Sequence, residues 1–535
     1  MPAINSAGYR FEKDAIYSPK GGALRFVTPP YEHQLECLRR FADAPYFALL
    51  AEMGTGKTWI VINNYAYLLA RGLVQNMLVI APNGVQWNWV RNELPSHLPK
   101  RVASQVQYAG YSGGMRKKER VELTALIETA ARVPSVLCVN WAALSHDSGM
   151  QIVHSFIKQS NELMIAIDES DFCKNPQTKA SQAVLKVLAP AAKYKRIMTG
   201  TPITNTPYDA WAQFQFLSPD ILKCPSYIAF KRRHGVFLSN AHPIVRSIQQ
   251  RGRGGFPLVP QVDNEGRPIY QKLDLLQEQI KPYSYRVLKA DCLDLPEKVY
   301  INAYVDLTPK QKAVYSALAK DGLALWDNQE VPIASKIALL SHLCQACGNH
   351  FSPSLQAYET GPVNKELMTI DNEHNPKLEK ALELVHGFIE QGAKAIIWCR
   401  YRAEISDILQ ALASEGIEAV AYYGEVSKDD RLAACEAFEH GSAMVFVANA
   451  QSAGTGLTLV AASYAIYYSN SFSLHDRLQS EDRCHRIGQK AKHVTYIDII
   501  ARNTVDERVS MVLKNKGDIA SAITSFSAKE LFKAL

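Results

Sequence analysis

A glycine-rich loop at residues 51–58 carries the residue types that hold a nucleoside triphosphate. The segment follows the apolar run YFALL, precedes a stretch of helical composition, and reads AEMGTGKT. Glycines in such a loop let the backbone wrap closely around phosphates, whose charge is favoured by the amides and dipole at a helix start. Lys57 would reach the β- and γ-phosphates, and the Thr58 hydroxyl would ligate Mg²⁺. The nucleotide-binding residues predicted from this loop are Gly54, Thr55, Gly56, Lys57 and Thr58.

Two acids end a second apolar run, which reads LMIAIDES from residue 163. Asp168 suits a contact to Mg²⁺, and Glu169 suits the base that polarises an attacking water. Strand ends with paired acids are often only capped and solvated. A phosphate-binding loop upstream favours the catalytic interpretation, because ligands of parallel sheets bind at the carboxyl ends of the strands.

The elements that must position these residues fall into two series of short apolar runs that alternate with helical patterns. Strands alternating with helices predict parallel, doubly wound sheets. The first series contains YFALLA from 46, MLVIAP from 77, SVLCVN from 135, LMIAIDES from 163 and KRIMTG from 195. The second contains KAIIWC from 394, EAVAYYG from 418, AMVFVA from 443, AIYYS from 465 and HVTYIDII from 493. We therefore expect an α/β protein with two tandem lobes.

The composition is that of an ordinary globular protein, with 47% apolar and 21% charged residues in 535. No apolar run reaches the length of a membrane span, and the opening residues lack the apolar stretch of a secretory signal. Ten cysteines without regular spacing indicate reduced thiols. We expect a cytoplasmic protein with no membrane contact, in a bacterial or viral-host cytosol, or a nuclear one if the source is eukaryotic. A net charge of +7 permits a polyanionic partner without requiring one.

Several motifs resemble the Swi/Snf-type motors of helicase superfamily two. DESDFCKNPQTKAS at 168–181 and MTGTPITN at 198–205 resemble motifs two and three of that family, and QSEDRCHRIGQ at 479–489 matches its motif six closely. The resemblance implies two RecA-like lobes with mainly helical insertions. It also implies an ATPase, stimulated by DNA, that moves along duplex DNA through contacts to the phosphate backbone.

The same resemblance divides the chain and assigns further residues. We expect an N-terminal extension over 1–30, lobe 1 over 31–220, a linker with partly helical insertions over 221–372, lobe 2 over 373–510 and a helical tail over 511–535. YEHQ at 31–34 resembles the adenine-reading segment. The residues implied to contact ATP are Gln34, Gly454, Gly456, Gln479, Arg483 and Arg486. The candidate DNA contacts are Thr204, Asn205 and Thr458.

Two departures from the family pattern bear on how the motor is coupled to DNA. Asp171 stands where many relatives have histidine, which would rearrange a contact between motif two and Gln479. In motif five, Ala453 and Thr458 stand where the family often has glycine and asparagine. Hydrolysis itself is expected to survive, because Asp168 and Glu169 remain.

Other interpretations stay open. A strand-separating helicase would need a pin or wedge, and none is identified in the sequence. A nucleic-acid scaffold that has lost hydrolysis is disfavoured by the intact Lys57, Glu169 and Arg486. Cys344, Cys347 and His350 have a spacing that could serve a metal, but a structural zinc site needs a further ligand, so core cysteines are favoured.

Two neighbouring tryptophans also have two interpretations. Trp87 and Trp89 could stack on nucleic-acid bases. Packing of the helix that contains them is the interpretation we favour.

Overall fold

The computed structural model describes residues 7–203, 206–251, 258–263, 268–292, 295–326, 333–351, 368–453, 457–486 and 488–514. The chain divides into two compact units, residues 1–293 and 294–535. Four of the residues assigned above, Thr204, Asn205, Gly454 and Gly456, lie outside the described residues, as does most of the 511–535 segment. No helix among the described residues is long and apolar enough to cross a membrane.

The first unit is built on a seven-stranded sheet whose strands are all parallel, in the order β10-β4-β9-β8-β5-β7-β6. A small antiparallel sheet, β1-β2-β3, precedes it. The strands are β1 (Arg10–Phe11), β2 (Ala15–Tyr17), β3 (Ala23–Arg25), β4 (Tyr46–Ala51), β5 (Asn76–Ala81), β6 (Gln107–Tyr111), β7 (Ser135–Asn140), β8 (Leu163–Asp168), β9 (Tyr194–Met198) and β10 (Ser284–Val287).

Helices connect these strands and cover the sheet. They are α1 (Glu32–Phe41), α2 (Lys57–Ala70), α3 (Val85–Asn88), α4 (Leu94–His97), α5 (Lys100–Ala103), α6 (Lys117–Thr129), α7 (Asp147–Gln159), α8 (Lys179–Ala183), α9 (Ala189–Ala191), α10 (Ala210–Leu217), α11 (Pro219–Leu222), α12 (Tyr227–His234), α13 (Pro243–Arg251), α14 (Leu273–Ile280) and α15 (Lys289–Cys292). Shorter 3₁₀ segments are Trp141–Ser145, Ser170–Cys173, Pro207–Asp209 and Lys281–Tyr283, and π-helical turns are Trp89–Glu93 and Val184–Leu188.

The second unit has a six-stranded sheet, also parallel throughout, in the order β11-β18-β17-β14-β16-β15. The strands of this sheet are β11 (Glu297–Val305), β14 (Lys394–Cys399), β15 (Ala419–Tyr422), β16 (Val445–Asn449), β17 (Ala462–Tyr467) and β18 (His493–Ala501). A separate antiparallel pair is formed by β12 (His350–Phe351) and β13 (Met368–Thr369). Its helices are α16 (Pro309–Trp326), α17 (Ile333–Cys347), α18 (Pro376–Glu390), α19 (Arg402–Ser414), α20 (Lys428–Glu439), α21 (Ala450–Ala453), α22 (Leu474–Glu481) and α23 (Val505–Lys514).

The central strands of the two parallel sheets are buried on both faces, as expected for parallel strands covered by helices. Along β4, Phe47 and Leu49 join one apolar core while Ala48 and Leu50 join another. The second unit repeats this alternation along its central strand β14. The predicted α/β class with two doubly wound parallel sheets is confirmed.

The segment between the two predicted lobes differs from the expectation. Residues 221–293 belong to the first unit, where β10 pairs with β4 as an edge strand of the sheet. β11 is an edge strand of the second sheet and pairs with β18 over nine residues. Edge strands pair on one side only, and β11 is largely exposed, so neither strand carries the unbroken apolar run that identifies a central strand.

Candidate nucleotide-binding site

The glycine loop joins β4 to α2 in the first unit, as the order of residues predicted. Gly54 and Gly56 have φ values of 78° and 80°, in the left-handed region that only glycine enters without strain. The Lys57 ammonium is buried and donates to the backbone oxygen of Ala51 at 3.0 Å. Thr58 is half-buried in the first turn of α2. The loop therefore has the backbone shape of a phosphate cradle.

The loop is braced by the edge strand that sequence analysis missed. The Thr55 hydroxyl donates to the backbone oxygen of Glu52 at 2.7 Å, and the Glu52 amide donates to the Val287 carbonyl at 3.0 Å. The Glu52 carboxylate accepts from the Lys289 amide at 2.8 Å. Residues just after β10 thus hold the start of the loop in place.

Gln34, predicted to read adenine, lies against the same loop. Its Oε1 accepts from the Tyr31 amide at 2.8 Å, and its Nε2 lies 3.4 Å from the carbonyl oxygens of Thr55 and Gly56. His33 donates from Nε2 to Thr55 O at 2.8 Å, and burial lowers the pKa of this imidazole. The first turn of α1 is therefore tied to the glycine loop by two side chains.

The two acids stand at the end of β8 and face the loop lysine. Glu169 Oε1 lies 4.0 Å from Lys57 Nζ, and both side chains are largely buried. Glu169 has a left-handed backbone, with φ of 49°, which turns the chain sharply as it leaves the strand. Burial raises the pKa of Asp168 to about 6, the neighbouring Glu169 charge adds to the rise, and Trp89 and Lys57 oppose it. The structure thus brings Lys57, Asp168 and Glu169 together.

Two indoles hold Asp168, and sequence analysis did not foresee either contact. Trp89 Nε1 donates to Asp168 Oδ2 at 3.0 Å, and Trp141 Nε1 donates to the Asp168 carbonyl at 3.2 Å. The Glu169 amide donates to Asp168 Oδ1 at 3.1 Å. Trp89 is fully buried, in agreement with the packing interpretation, and Trp87 packs on Gly110. A tryptophan after a strand is too common a pattern to predict such a donor.

The residues that follow β9, the strand beside β8, are linked by hydrogen bonds to the acidic segment at 168–171. The Thr199 hydroxyl, just after β9, donates to Asp171 Oδ1 at 3.4 Å, and the Thr201 amide donates to Thr199 Oγ1 at 3.1 Å. Ser170 donates to Gln213 Oε1 at 2.7 Å. Asp171 is buried and bonded within its own unit, so the residue that departs from the family pattern joins motif two to motif three.

The arginines predicted to contact ATP lie in the second unit. Arg483 and Arg486 both donate to the backbone oxygen of Leu457, at 3.2 and 3.1 Å. Arg486 also donates to the hydroxyl of Thr458, an exposed residue proposed as a DNA contact, at 3.1 Å. Gln479 is buried, with Nε2 at 2.6 Å from His475 Nε2. The structure therefore joins a motif-six arginine to a motif-five threonine.

The possible zinc ligands are part of the core. Cys344 and Cys347 are buried in the apolar core of the second unit, and His350 pairs with Asp407 at 3.1 Å. All ten cysteines lie in the described part of the chain and are free thiols, as predicted.

Fold and site together define a protein with two parallel α/β units, the first of which carries a glycine loop with a buried lysine opposed by two acids. Residues 43–351 match the family model of the SNF2-related domain, and residues 376–488 match that of the helicase conserved C-terminal domain. The first match covers more than half of the chain, so this protein belongs to the SNF2-related family.

Individual relatives are distant and longer. An uncharacterized ATP-dependent helicase of Mycoplasma pneumoniae is 27% identical over 496 residues, which cover 90% of this chain and 41% of that protein. The putative ATP-dependent helicase/translocase YwqA of Bacillus subtilis is 26% identical over 528 residues, which cover 95% of this chain and 50% of that protein. This chain thus spans about half the length of the curated relatives it matches.

A solved structure with similarity to this chain is the SWI2/SNF2 ATPase core of Sulfolobus solfataricus in complex with dsDNA. The two are 24% identical, with a TM-score of 0.38, and the match covers 95% of this chain and 97% of that chain.

Proposed function

We propose that this protein is a DNA-dependent ATPase that converts ATP hydrolysis into movement along duplex DNA. The observation that carries the proposal is the convergence of the glycine loop, the Lys57 ammonium and the Glu169 carboxylate at the ends of β4 and β8. Membership of the SNF2-related family supports it. So does the description of the Bacillus subtilis relative as a putative ATP-dependent helicase/translocase.

The residues present fit a magnesium ion bound together with a nucleotide. Mg²⁺ is usually held through one or two carboxylates together with substrate phosphates. The Asp168 carboxylate is buried at the end of β8, close enough to Lys57 for the ammonium to oppose the rise in its pKa. Asp168 and Thr58 would hold the ion through oxygen atoms. When bound, it would neutralise charge on the β- and γ-phosphates.

The protein groups have distinct roles in the proposed reaction. The amides of the glycine loop and the Lys57 ammonium bind the triphosphate, and Gln34 reads the adenine. Glu169, 4.0 Å from Lys57, orients the attacking water and accepts its proton. Arg483 and Arg486 of the second unit grip phosphate oxygens as charge develops, a role that suits the planar fork of guanidinium. Lys57 and Arg483 are buried, and burial strengthens their electrostatic contacts.

Movement along DNA follows from alternating contacts to the backbone. Phosphate contacts carry no sequence information, so a motor that uses them can step along any duplex. Thr204, Asn205 and Thr458 are the proposed contacts in motifs three and five. Thr458 is exposed and bonded to Arg486, which supports a link between DNA contact and the nucleotide.

Two assays on one preparation distinguish translocation along duplex DNA from strand separation. A triplex-displacement assay reports translocation, because a motor moving on duplex removes a third strand, and a gel assay on forked DNA reports strand separation. We expect ATP-dependent triplex displacement without unwinding. Unwinding of the fork would instead identify a strand-separating helicase, and neither activity, in a protein that binds duplex DNA, would indicate a scaffold.

A further inference from the structure

One short helical run connects an exposed loop to the carboxylate of Asp168. The loop leaves β5 at residues 82–84, where Asn83 and Gly84 are exposed, and continues into α3. Between α3 and α4 the chain forms a π-helical turn that begins at Trp89. Such a turn re-aims the side chains that follow it, and π-turns inside helices are frequent at functional sites. Here the turn directs the Trp89 indole at Asp168 Oδ2.

A second connection runs in parallel from the same loop. The Asn140 side chain, at the end of β7, donates to Asn83 Oδ1 and accepts from the Ala143 amide at 3.0 Å. It thereby caps the 3₁₀ segment that begins with Trp141, whose indole donates to the Asp168 carbonyl at 3.2 Å. Segments after two neighbouring strands thus converge on one aspartate.

These contacts fix the orientation of the Asp168 carboxylate. Oδ2 accepts from Trp89 while Oδ1 accepts from the Glu169 amide, so each oxygen already has a defined donor. Outer partners of this kind orient metal-binding carboxylates, and their loss typically costs 10- to 100-fold in metal affinity or activity. Phenylalanine could fill much of the Trp89 site, but it could not donate.

We propose that Trp89 is a positioning residue, which sets the orientation of the Asp168 carboxylate through its indole N–H. The inference rests on the proposed function, since it assumes that Asp168 serves Mg²⁺ with ATP. It adds a buried side chain, outside the glycine loop and the two acids, on which the strength of Mg²⁺ binding depends.

The test compares two tryptophans of the first unit that share burial and donor chemistry. Trp89→Phe removes the donor to Asp168. Trp59→Phe is the matched control, because Trp59 is also buried and donates to Thr28 Oγ1 at 2.9 Å, away from Asp168. For each full-length protein, binding of a fluorescent N-methylanthraniloyl ADP is measured with Mg²⁺ and with EDTA. Phosphate release is measured with and without duplex DNA.

We expect Trp89→Phe to lose about tenfold or more of the affinity that Mg²⁺ adds, with unchanged affinity in EDTA. Its rate of phosphate release should fall as well, and Trp59→Phe should match the wild type in both respects. If Trp89→Phe does not fold, benzothienylalanine placed at position 89 keeps the shape and replaces the N–H with sulfur.

The outcomes separate this inference from the proposed function. A wild-type protein without Mg²⁺-dependent nucleotide binding would overturn the proposed function and this inference with it. A wild-type protein that binds Mg²⁺ and nucleotide, beside a Trp89→Phe protein with the same Mg²⁺-dependent gain, would overturn this inference alone.

Discussion

Replacing Gly56 with alanine should weaken ATP binding through two separate effects. Gly56 has a φ of 80°, and a Cβ built on it would lie 2.1 Å from Gln34 Nε2. No real contact is that short, so either the loop or Gln34 must move. Because the Gln34 amide is the free end of a flexible side chain, it is the group that should swing away.

The size of the effect follows from these contacts. A residue with a Cβ costs about 1–2 kcal/mol in the left-handed region. Displacing Gln34 loses the 2.8 Å bond from the Tyr31 amide, worth about 1 kcal/mol net, and the two longer contacts to the loop. If ATP binds only the wild-type loop shape, the affinity should fall by about 2–3 kcal/mol, or roughly 30- to 150-fold.

Gly72, just beyond the other end of α2, is the matched control. It has a φ of 69°, and no atom lies within 4 Å of the position that an added Cβ would take. Gly72→Ala therefore carries similar backbone strain without touching the loop. Equilibrium binding of fluorescent ATP and GTP analogues to both variants measures affinity and base preference. We expect weak binding and a reduced preference for ATP in Gly56→Ala alone. Equal ATP affinity in the two variants would show that the contact between position 56 and Gln34 does not affect nucleotide binding.

Four other perturbations have defined outcomes. Lys57→Ala should lower phosphate release by about 100-fold or more while duplex DNA affinity, from gel shifts, stays within about threefold; loss of DNA binding by a folded variant would contradict the assignment. Burial, with the Glu169 charge adding to it, raises the pKa of Asp168 from 3.8 to about 6, so its protonated form favours folding and its ionisation destabilises the fold as the pH rises through that range. Asp168→Asn should then have a larger free energy of unfolding than the wild type at pH 7.5 in EDTA, by about 3 kcal/mol at most, and this gain in stability should shrink towards pH 4. Denaturant unfolding at each pH measures it, and a gain that stays constant across this range would disprove the role of Asp168 ionisation. Arg486→Ala should slow turnover by about 1,000-fold with ATP affinity little changed, as for other arginines that stabilise phosphoryl transfer; turnover at the wild-type rate would exclude that role. Duplex affinity should fall steeply between 50 and 200 mM salt, because phosphate contacts release counterions; a flat titration would indicate another kind of partner.

Central strands could be predicted because burial on both faces favours apolar residues at successive positions. All six residues of each of the strands β5, β7 and β8 are buried, and each strand contains a run of at least four apolar residues. β10 and β11 lie at sheet edges, and β6, which reads QYAGY, also escaped prediction. Their positions depend on tertiary pairing rather than on local apolar pattern.

The loop and the acids were predictable because their chemistry is local in sequence. Glycines at left-handed positions, a lysine at the helix start and acids at a strand end each have a reason within a few residues. The contacts that the Trp89 and Trp141 indoles make to Asp168 have no such local cause in the sequence. Trp89 reaches it only through a π-helical turn and the neighbouring position of β5 and β8 in the sheet.

Gln34 makes a further contact that the sequence did not predict. The sequence indicated a nucleotide-facing role, yet it did not indicate that the amide would lie on the carbonyl oxygens of Thr55 and Gly56. That contact depends on how α1 packs beside the start of α2, which no local pattern encodes.

Phosphate release from ATP by wild type and Glu169→Gln, each with and without saturating duplex DNA, tests most directly whether this protein is a DNA-dependent ATPase. Glutamine keeps the shape of Glu169 but is a far weaker base. We expect hydrolysis that rises with DNA in the wild type and falls by about 100-fold or more in the variant, while nucleotide binding persists. Hydrolysis by Glu169→Gln at the wild-type rate would exclude Glu169 as the base, and a wild-type rate indifferent to DNA would exclude a DNA-dependent ATPase.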